Sequence, residues 1–184
     1  MLLTLSYDFS IDTELIKLRF LRGRQSGKAF IQQKDDTFSI TLPVGFDFSN
    51  PKDHEWGKHL LTVALRHRAK QVLPKLLKGY AEEFGYTYNR LCIKDVHTRW
   101  GSCSALRNIN LSLWLMLAPR HLVSYVIKHE LAHLKEFNHG PRFWAEVDRM
   151  TEGKGKALEH EMKMFEKEKR FQLRNQYRRK INSK

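Results

Sequence analysis

The chain has 184 residues, of which 41% are hydrophobic and 29% are charged, and this composition is typical of a soluble globular protein. No apolar run reaches the ~20 residues of a membrane span, and the N-terminus lacks the basic leader of a signal peptide, so we expect a cytoplasmic protein without a membrane partner. The 33 Lys and Arg residues outnumber the 20 Asp and Glu residues, and this excess favours polyanionic partners such as nucleic acid or nucleotides.

The first half of the chain is predicted to contain a β region and then a long helix. Within residues 1–50, the stretches "ELIKLRF" (14–20) and "TFSITLP" (37–43) alternate apolar and polar positions between turn-forming residues, which predicts antiparallel hairpins. Residues 54–84 have apolar positions at intervals of three and four. This spacing predicts a helix, which Pro74 should kink or split.

A second β-hairpin is predicted before the next helix. The stretches "RLCIKDVHTRW" (90–100) and "NINLSLWLML" (108–117) have the composition of strands, with a turn between them. Residues 118–137 then have a helical pattern, with Pro119 in the first turn and Asn138 as a left-handed end. The overall prediction is an α+β fold.

The last part of the chain is predicted to be helical and strongly basic. Gly140 and Pro141 begin a short helix, and residues 154–184 carry eleven Lys and Arg against four Glu. We therefore expect a single domain over residues 1–153 and a basic helical extension over residues 154–184, with its first half packed on the domain and a mobile end, "YRRKINSK". The extension is a candidate nucleic-acid contact.

The stretch "YVIKHELAHL" has the spacing of a metal site. His129 and His133 lie four residues apart, which places both imidazoles on one face of the predicted helix. Glu130 follows the first histidine, where its carboxylate can hold and deprotonate the attacking water. The flanking residues are apolar, and a charged group in such a helix is unfavourable unless something binds it. Tyr125, one turn before His129, is expected to be a core residue.

A catalytic zinc site needs a third protein ligand and an open position. His139 is the best candidate, because a reversal after the helix would bring it back to the first two histidines. Glu146 and Asp148 are alternative ligands, or groups that orient a histidine. Phe143 and Trp144 are expected to pack the next helix against the metal-site helix.

The block "RWGSCS" is a second candidate for function. Arg99 can bind a carboxylate or phosphate or stabilise an oxyanion, and a strand edge here could hold an extended peptide. The alternative is a buried turn in which Arg99 makes a structural ion pair. His97 could line the same cleft. Cys103 and Cys92 are too few for a disulfide framework, and Cys103 is expected to be a small packed residue. The role of Ser102 stays open.

Several of these blocks occur in order over residues 98–144: "RWGSCS", "INL", "LAP", "YVIKHELAHL" and "NHGPRFW". This part of the chain strongly resembles the YgjP-like metallopeptidase family, relatives of the SprT-like zinc proteases. The resemblance implies a zincin-like fold, with Glu130 as general base and zinc ligands His129, His133 and His139. The chain departs from the common family pattern at Ser112, where "INLN" is usual, and at Gly140, where a small polar residue is usual.

The leading functional prediction is therefore a metallopeptidase with a Zn²⁺ cofactor and a protein or peptide substrate. One alternative is a metal-dependent nucleoside triphosphate pyrophosphohydrolase, in which Arg99 and other basic side chains clamp phosphates, although the chain has no Gly-rich phosphate loop. The other is a non-catalytic nucleic-acid-binding module with a structural zinc. Structural sites usually have four protein ligands, so three histidines beside a carboxylate argue against it.

Overall fold

The computed structural model describes the backbone of residues 5–181 and the side chains of residues 5–168. The predicted α+β class is confirmed. In chain order the elements are β1 (Ser10–Asp12), β2 (Lys17–Arg22), β3 (Phe30–Lys34), β4 (Thr37–Leu42), α1 (Pro51–Phe84), β5 (Arg90–Lys94), β6 (Gly101–Cys103), β7 (Asn108–Ser112), a 3₁₀ helix (Leu113–Leu117), α2 (Arg120–Ala132), α3 (Pro141–Thr151) and α4 (Gly155–Ile181).

The described residues form two compact units. The first contains β1 to β4 and helix α1 up to Arg68, and the second is Ala69–Glu168. The division of the chain into a domain over residues 1–153 and an extension over residues 154–184 stays a prediction. None of the described helices combines the length and the hydrophobicity of a transmembrane segment.

The first unit contains a four-stranded sheet with the order β1-β2-β4-β3. Strands β1 and β2 are antiparallel, as are β3 and β4. The two segments predicted to belong to antiparallel hairpins, residues 14–20 and 37–43, each pair antiparallel with a neighbouring strand. They also pair with each other in parallel through β2 and β4, which was not predicted. Strand β4 lies inside the sheet, and its alternating apolar residues Phe38, Ile40 and Leu42 are all buried. The mostly exposed β3 takes the edge.

Helix α1 covers the apolar face of this sheet with its first half. The Phe38 ring lies 6.2 Å from the ring of His67, and the Arg68 Nε donates a hydrogen bond to the Leu15 carbonyl at 2.6 Å. The predicted split at Pro74 is wrong, because α1 continues through Pro74 for 34 residues. Leu73 and Leu77 on either side of the proline are fully buried, and their packing outweighs the lost backbone hydrogen bond.

The second unit contains a three-stranded sheet with the order β5-β7-β6. The predicted hairpin between residues 90–100 and 108–117 is wrong in its pairing. Strand β7 pairs in parallel with β5, and its antiparallel partner is the short strand β6. The predicted strand over residues 108–117 ends at Ser112. The Ser112 hydroxyl caps the 3₁₀ helix by accepting from the Trp114 amide at 3.2 Å, and it donates to the Val96 carbonyl at 2.7 Å. All five residues of this helix are buried.

Helix α2 is shorter than predicted. It ends at Ala132 rather than residue 137, and His133 is its C-terminal cap. The left-handed conformation predicted for Asn138 is wrong, since the described non-glycine residues with positive φ are Asp35, Arg107 and Glu152. The Leu134 and Lys135 amides donate to carbonyls three residues back, at 3.0 Å each. The helix therefore tightens and ends in a turn.

The first half of α4 packs within the second unit, as predicted for the start of the basic segment. Met162 is buried, and the ring of Phe165 lies 6.2 Å from Trp100. The predicted apolar positions farther along and the predicted mobility of "YRRKINSK" (177–184) lie outside the residues whose side chains are described.

Candidate metal centre and active site

The structure brings three histidines together at the end of α2. One nitrogen from each of His129, His133 and His139 lies within 4.8 Å of the other two. The His139 Nε2 and the His129 Nε2 are 3.1 Å apart. Three imidazole nitrogens that converge in this way could hold a divalent metal ion, and three protein ligands leave a fourth position open.

The turn after α2 produces this arrangement. His133 keeps helical backbone angles, with φ −63° and ψ −16°, so it stays on the same face as His129, one turn away. The tight turn that follows reverses the chain before Gly140, and Pro141 begins α3 at its first turn. His139 lies in the short segment between the two helices, opposite the other histidines.

Hydrogen bonds orient two of the three imidazoles. The Nδ1 of His133 lies 3.1 Å from the Glu136 carbonyl, which fixes that nitrogen as a donor. The Nδ1 of His129 lies 3.4 Å from the Tyr125 hydroxyl. Both contacts leave Nε2 for a metal, in the way that outer hydrogen bonds usually fix metal-binding histidines. The sequence favours a core position for Tyr125 over one at the site; the side chain is buried, and its hydroxyl also reaches His129.

Phe143 forms an apolar floor under the cluster. It is fully buried, and its ring centroid lies between 4.5 and 4.9 Å from the ring centroids of all three histidines. Burial, together with the neighbouring His133 and His139, lowers the pKa of His129 to about 3, and burial also lowers the pKa of His133. Both imidazoles are therefore neutral at pH 7, the form that binds metals.

Glu130 is a buried carboxylate next to this cluster. Its residue exposure is 5%, and burial raises its pKa to about 8, with the charge of Arg99 acting in the opposite direction. Among the described atoms, its Oε2 has no hydrogen-bond partner. A buried polar atom without a partner is rare in folded proteins. The residues present therefore fit a metal and water at this point.

The backbone of β6 lies directly against this carboxylate. A Cβ at Gly101 would be 2.5 Å from the Glu130 Oε1 and 2.7 Å from its Cγ. Gly101 belongs to the "RWGSCS" block, but the sequence does not show which group approaches its backbone. The glycine is needed because β6 and α2 meet here.

Other residues of the "RWGSCS" block have separate positions. Arg99 is exposed in the bend before β6, where its charge affects Glu130, and the described residues offer it no ion pair. The Ser102 hydroxyl accepts from the Asn110 amide at 3.2 Å. Burial, followed by the charge of Glu130, raises the pKa of Cys103 to about 11. Cys103 is therefore a neutral thiol, which agrees with a packing role.

His97 does not join the histidine cluster. The strand predicted to carry His97 and Arg99 on one face ends at Lys94, so that expectation is wrong. The His97 ring packs on Trp114 with 4.4 Å between ring centroids. The Trp114 indole donates to the Asp95 carboxylate at 2.8 Å, which fixes this stack.

The alternative acidic ligands lie in other contacts. The Asp148 Oδ1 accepts from the Gly155 amide at 2.9 Å. The Glu146 Oε1 accepts from Lys135 at 2.8 Å, from Arg149 at 2.5 Å and from the Tyr86 hydroxyl. Glu146 therefore ties α3 to the turn that carries Lys135, instead of contributing to the histidine cluster. The contact with Tyr86 could not be predicted from local patterns, because that residue is 60 positions away.

The close approach of Gly101 to Glu130 predicts that one methyl group added at position 101 will lower the stability of the protein. We expect Gly101→Ala to lower the free energy of unfolding by about 1–3 kcal/mol, because the clash includes Cγ and is not relieved by rotating the carboxylate alone. Gly79→Ala is the matched control. No heavy atom lies within 4 Å of that added Cβ, so this helical substitution should stabilise by about 0.5–1 kcal/mol. Urea denaturation measures both, and equal effects would contradict the close approach.

The Glu146 contacts predict a loss of stability in acid. Burial opposes ionisation of Glu146, but hydrogen bonds from Arg149, Lys135 and Tyr86 outweigh it and lower its pKa to about 2, from 4.5. The contribution, on the order of 3 kcal/mol, is present above pH 4.5 and is lost as the pH falls towards 2. The free-energy difference between wild type and Glu146→Gln, from urea denaturation, should shrink over this window.

The exposed pair of Glu82 and Lys78, 3.7 Å apart, supplies the control for this measurement. Glu82→Gln should show no comparable change with pH, because an exposed ion pair contributes little. A difference between wild type and Glu146→Gln that does not vary with pH would show that the Glu146 carboxylate is not held in its charged form.

Comparison with known proteins identifies a family and two similar solved structures. The family described as "YgjP-like, metallopeptidase domain" matches residues 12–165. The metallopeptidase zymogen abylysin of Pyrococcus abyssi is 25% identical with a TM-score of 0.45, over 50% of this chain and 91% of that chain. The zymogen jannalysin of Methanocaldococcus jannaschii is 22% identical with a TM-score of 0.38, over 41% and 78%. No curated protein gives a significant match. Since the family match covers most of its length, the chain belongs to the YgjP-like metallopeptidase domain family.

Proposed function

We propose that the chain is a zinc-dependent peptidase in which His129, His133 and His139 hold the metal and Glu130 is the general base. The observation that carries this proposal is the buried, unpartnered Oε2 of Glu130 beside three converging imidazoles. A zinc ion bound there would polarise the scissile carbonyl and lower the pKa of water. The donor set of three neutral nitrogens suits zinc.

The proton transfers belong to Glu130. Its carboxylate takes the proton of the attacking water and passes it to the leaving amine, because a peptide nitrogen leaves only when it is protonated. Contact with the Gly101 backbone holds the carboxylate in place during both transfers. Arg99, exposed and within electrostatic reach of Glu130, is placed to stabilise negative charge on the substrate oxygen.

The substrate backbone is proposed to lie along β6. This strand pairs with β7 on one side only, because it is at the edge of its sheet. The unpaired amide and carbonyl groups of its other edge can bind an extended peptide as an added strand. Since Gly101 in β6 touches Glu130, a peptide held at this edge is near the proton acceptor.

Peptide hydrolysis is favoured over the nucleotide alternative. A pyrophosphohydrolase needs several cations around the phosphates. Among the described residues, Arg99 is the cation that acts on Glu130, and Lys156, which acts on His129, already pairs with Glu159. The structural-zinc alternative leaves the buried carboxylate without a role. Both remain outcomes of the experiment below.

Substitutions at the histidines and at Glu130 should separate metal binding from chemistry. We expect His133→Ala and His139→Ala to lose zinc, and Glu130→Gln to keep about one zinc per chain while kcat falls by about 10²–10⁴-fold. His59→Ala, at an exposed histidine of α1, is the matched control. Zinc content is measured by atomic emission, and products are analysed on unfolded protein, peptide and nucleoside triphosphate panels.

Two results would contradict the assignments. Tight stoichiometric zinc and full activity in His139→Ala would remove His139 from the ligand set. Hydrolysis of triphosphates without hydrolysis of any peptide bond would favour the pyrophosphohydrolase, and zinc binding with no product on either panel would favour the structural-zinc module.

Arg99 has its own test because it is exposed. We expect Arg99→Lys, which keeps the charge but loses the planar pair of donors, to lower kcat/KM about tenfold or more with an unchanged melting temperature. Arg90→Lys, at an exposed position in β5, should change neither quantity. Parallel losses of melting temperature and activity in Arg99→Lys would assign Arg99 a structural role instead.

A further inference from the structure

The exposed side of the N-terminal sheet carries an unusual concentration of positive charge. Residues 17–34 contain six Lys and Arg and no Asp or Glu. Four of these cations lie within strands and are exposed. Arg22 lies over the Tyr7 ring, and the other three are Lys17, Arg19 and Lys34. None of the three makes an ion pair with a described residue, so their charges are available to a partner.

Strand register places these cations on one surface. Lys17 and Lys34 both align with Thr37, from β2 and β3 on either side of β4. Arg19 and Gln32 align with Ser39 in the next row of the same face. Aligned residues, and residues two apart in a strand, point to the same side of a sheet. The opposite side is the apolar one that α1 covers.

An aromatic ring extends this surface. Phe30 aligns with Thr41 at the next row of the face, and 45% of its surface is exposed. We define the outer face by Lys17, Arg19, Phe30, Gln32 and Lys34, with the half-exposed hydroxyl residues of β4 between them. The acidic residues near this side are Asp12, opposite Lys17 on the edge strand β1, and Asp35 and Asp36 in the turn between β3 and β4. Strands β2, β4 and β3 themselves contain no acidic residue, so positive charge predominates over them.

We infer that the outer face binds single-stranded nucleic acid. Rows of cations separated by hydroxyl and amide groups provide the contacts that proteins make to phosphates and sugars. An exposed ring at the end of these rows provides a surface on which a base can stack. The bases of a duplex are already stacked on one another, whereas those of a single strand are accessible to the exposed ring, so a single strand fits this surface better than a duplex.

This binding surface goes beyond the proposed peptidase function and does not depend on it. The outer face lies in the first compact unit, whereas the histidine cluster lies in the second. Binding of nucleic acid is measured with the full chain and needs no peptide hydrolysis. A protein without peptidase activity can therefore still pass this test, and an active peptidase can fail it.

The first experiment compares two variants with the same change in net charge. The Lys17→Ala, Arg19→Ala, Lys34→Ala protein should bind labelled oligothymidylate or oligouridylate about tenfold or more weakly, and the slope of log affinity against log salt should fall by about 2, for three lost contacts. The control protein, Lys70→Ala, Lys75→Ala, Lys94→Ala, loses three exposed cations elsewhere and should keep the wild-type slope. Fluorescence anisotropy across a salt series measures both.

The second experiment separates stacking from charge. Phe30→Leu keeps an apolar side chain but removes the ring, so the affinity should fall about tenfold while the salt slope stays unchanged. Phe30→Tyr should retain wild-type affinity, because the ring is kept. All of these positions are exposed, and unchanged melting temperatures will show that the variants are folded.

Four results would overturn the inference. Equal weakening by the two triple variants would show a general charge effect, and wild-type affinity in Phe30→Leu would show that no base stacks there. Equal or tighter binding of a duplex would exclude a single-strand site. Loss of binding in an Arg178→Ala, Arg179→Ala, Lys180→Ala protein, with wild-type binding in the outer-face variant, would assign the contact to the C-terminal segment.

Discussion

The contact between the Glu130 carboxylate and the Gly101 backbone is the constraint on which the candidate site depends. It joins the helix that supplies two histidines to the edge strand that is proposed to hold substrate. A buried carboxylate without a hydrogen-bond partner is unfavourable for stability, and an apolar residue at position 130 would pack there more favourably. Stability therefore does not explain this side chain, whereas the proton transfer that we propose for it would.

The second requirement is a chain reversal immediately after α2. The periodicity of one helix can align His129 and His133, but no helix can also supply a third ligand from the opposite side. Because α2 ends early, at Ala132, the turn that follows can bring His139 back to the other two histidines. Phe143, at the start of α3, packs under the imidazoles. The donor set thus depends on a helix, a turn and a second helix that are adjacent in sequence.

This adjacency explains which features the sequence could predict. Helical spacing predicts the positions of His129, Glu130 and His133. A chain reversal predicts the position of His139, but the pattern did not show that the helix ends at Ala132 or that Asn138 lacks the left-handed conformation. Alternation of apolar residues shows which side of a strand is buried, but not which strand lies beside it. The parallel pairs β2–β4 and β5–β7 were therefore missed, as were distant contacts such as that of Tyr86 with Glu146.

The position of His139 in the turn has a consequence for the thermodynamics of metal binding. In the proposed ligand set, the third nitrogen is available only when residues 134–140 are ordered, so the measured metal affinity would include the free energy of ordering that segment. By the same linkage, bound metal will slow amide hydrogen exchange in the turn and in the first turn of α3. The metal dissociation constant would then depend on how well residues 134–140 are ordered. Substitutions in this segment would change it even where they touch no donor atom.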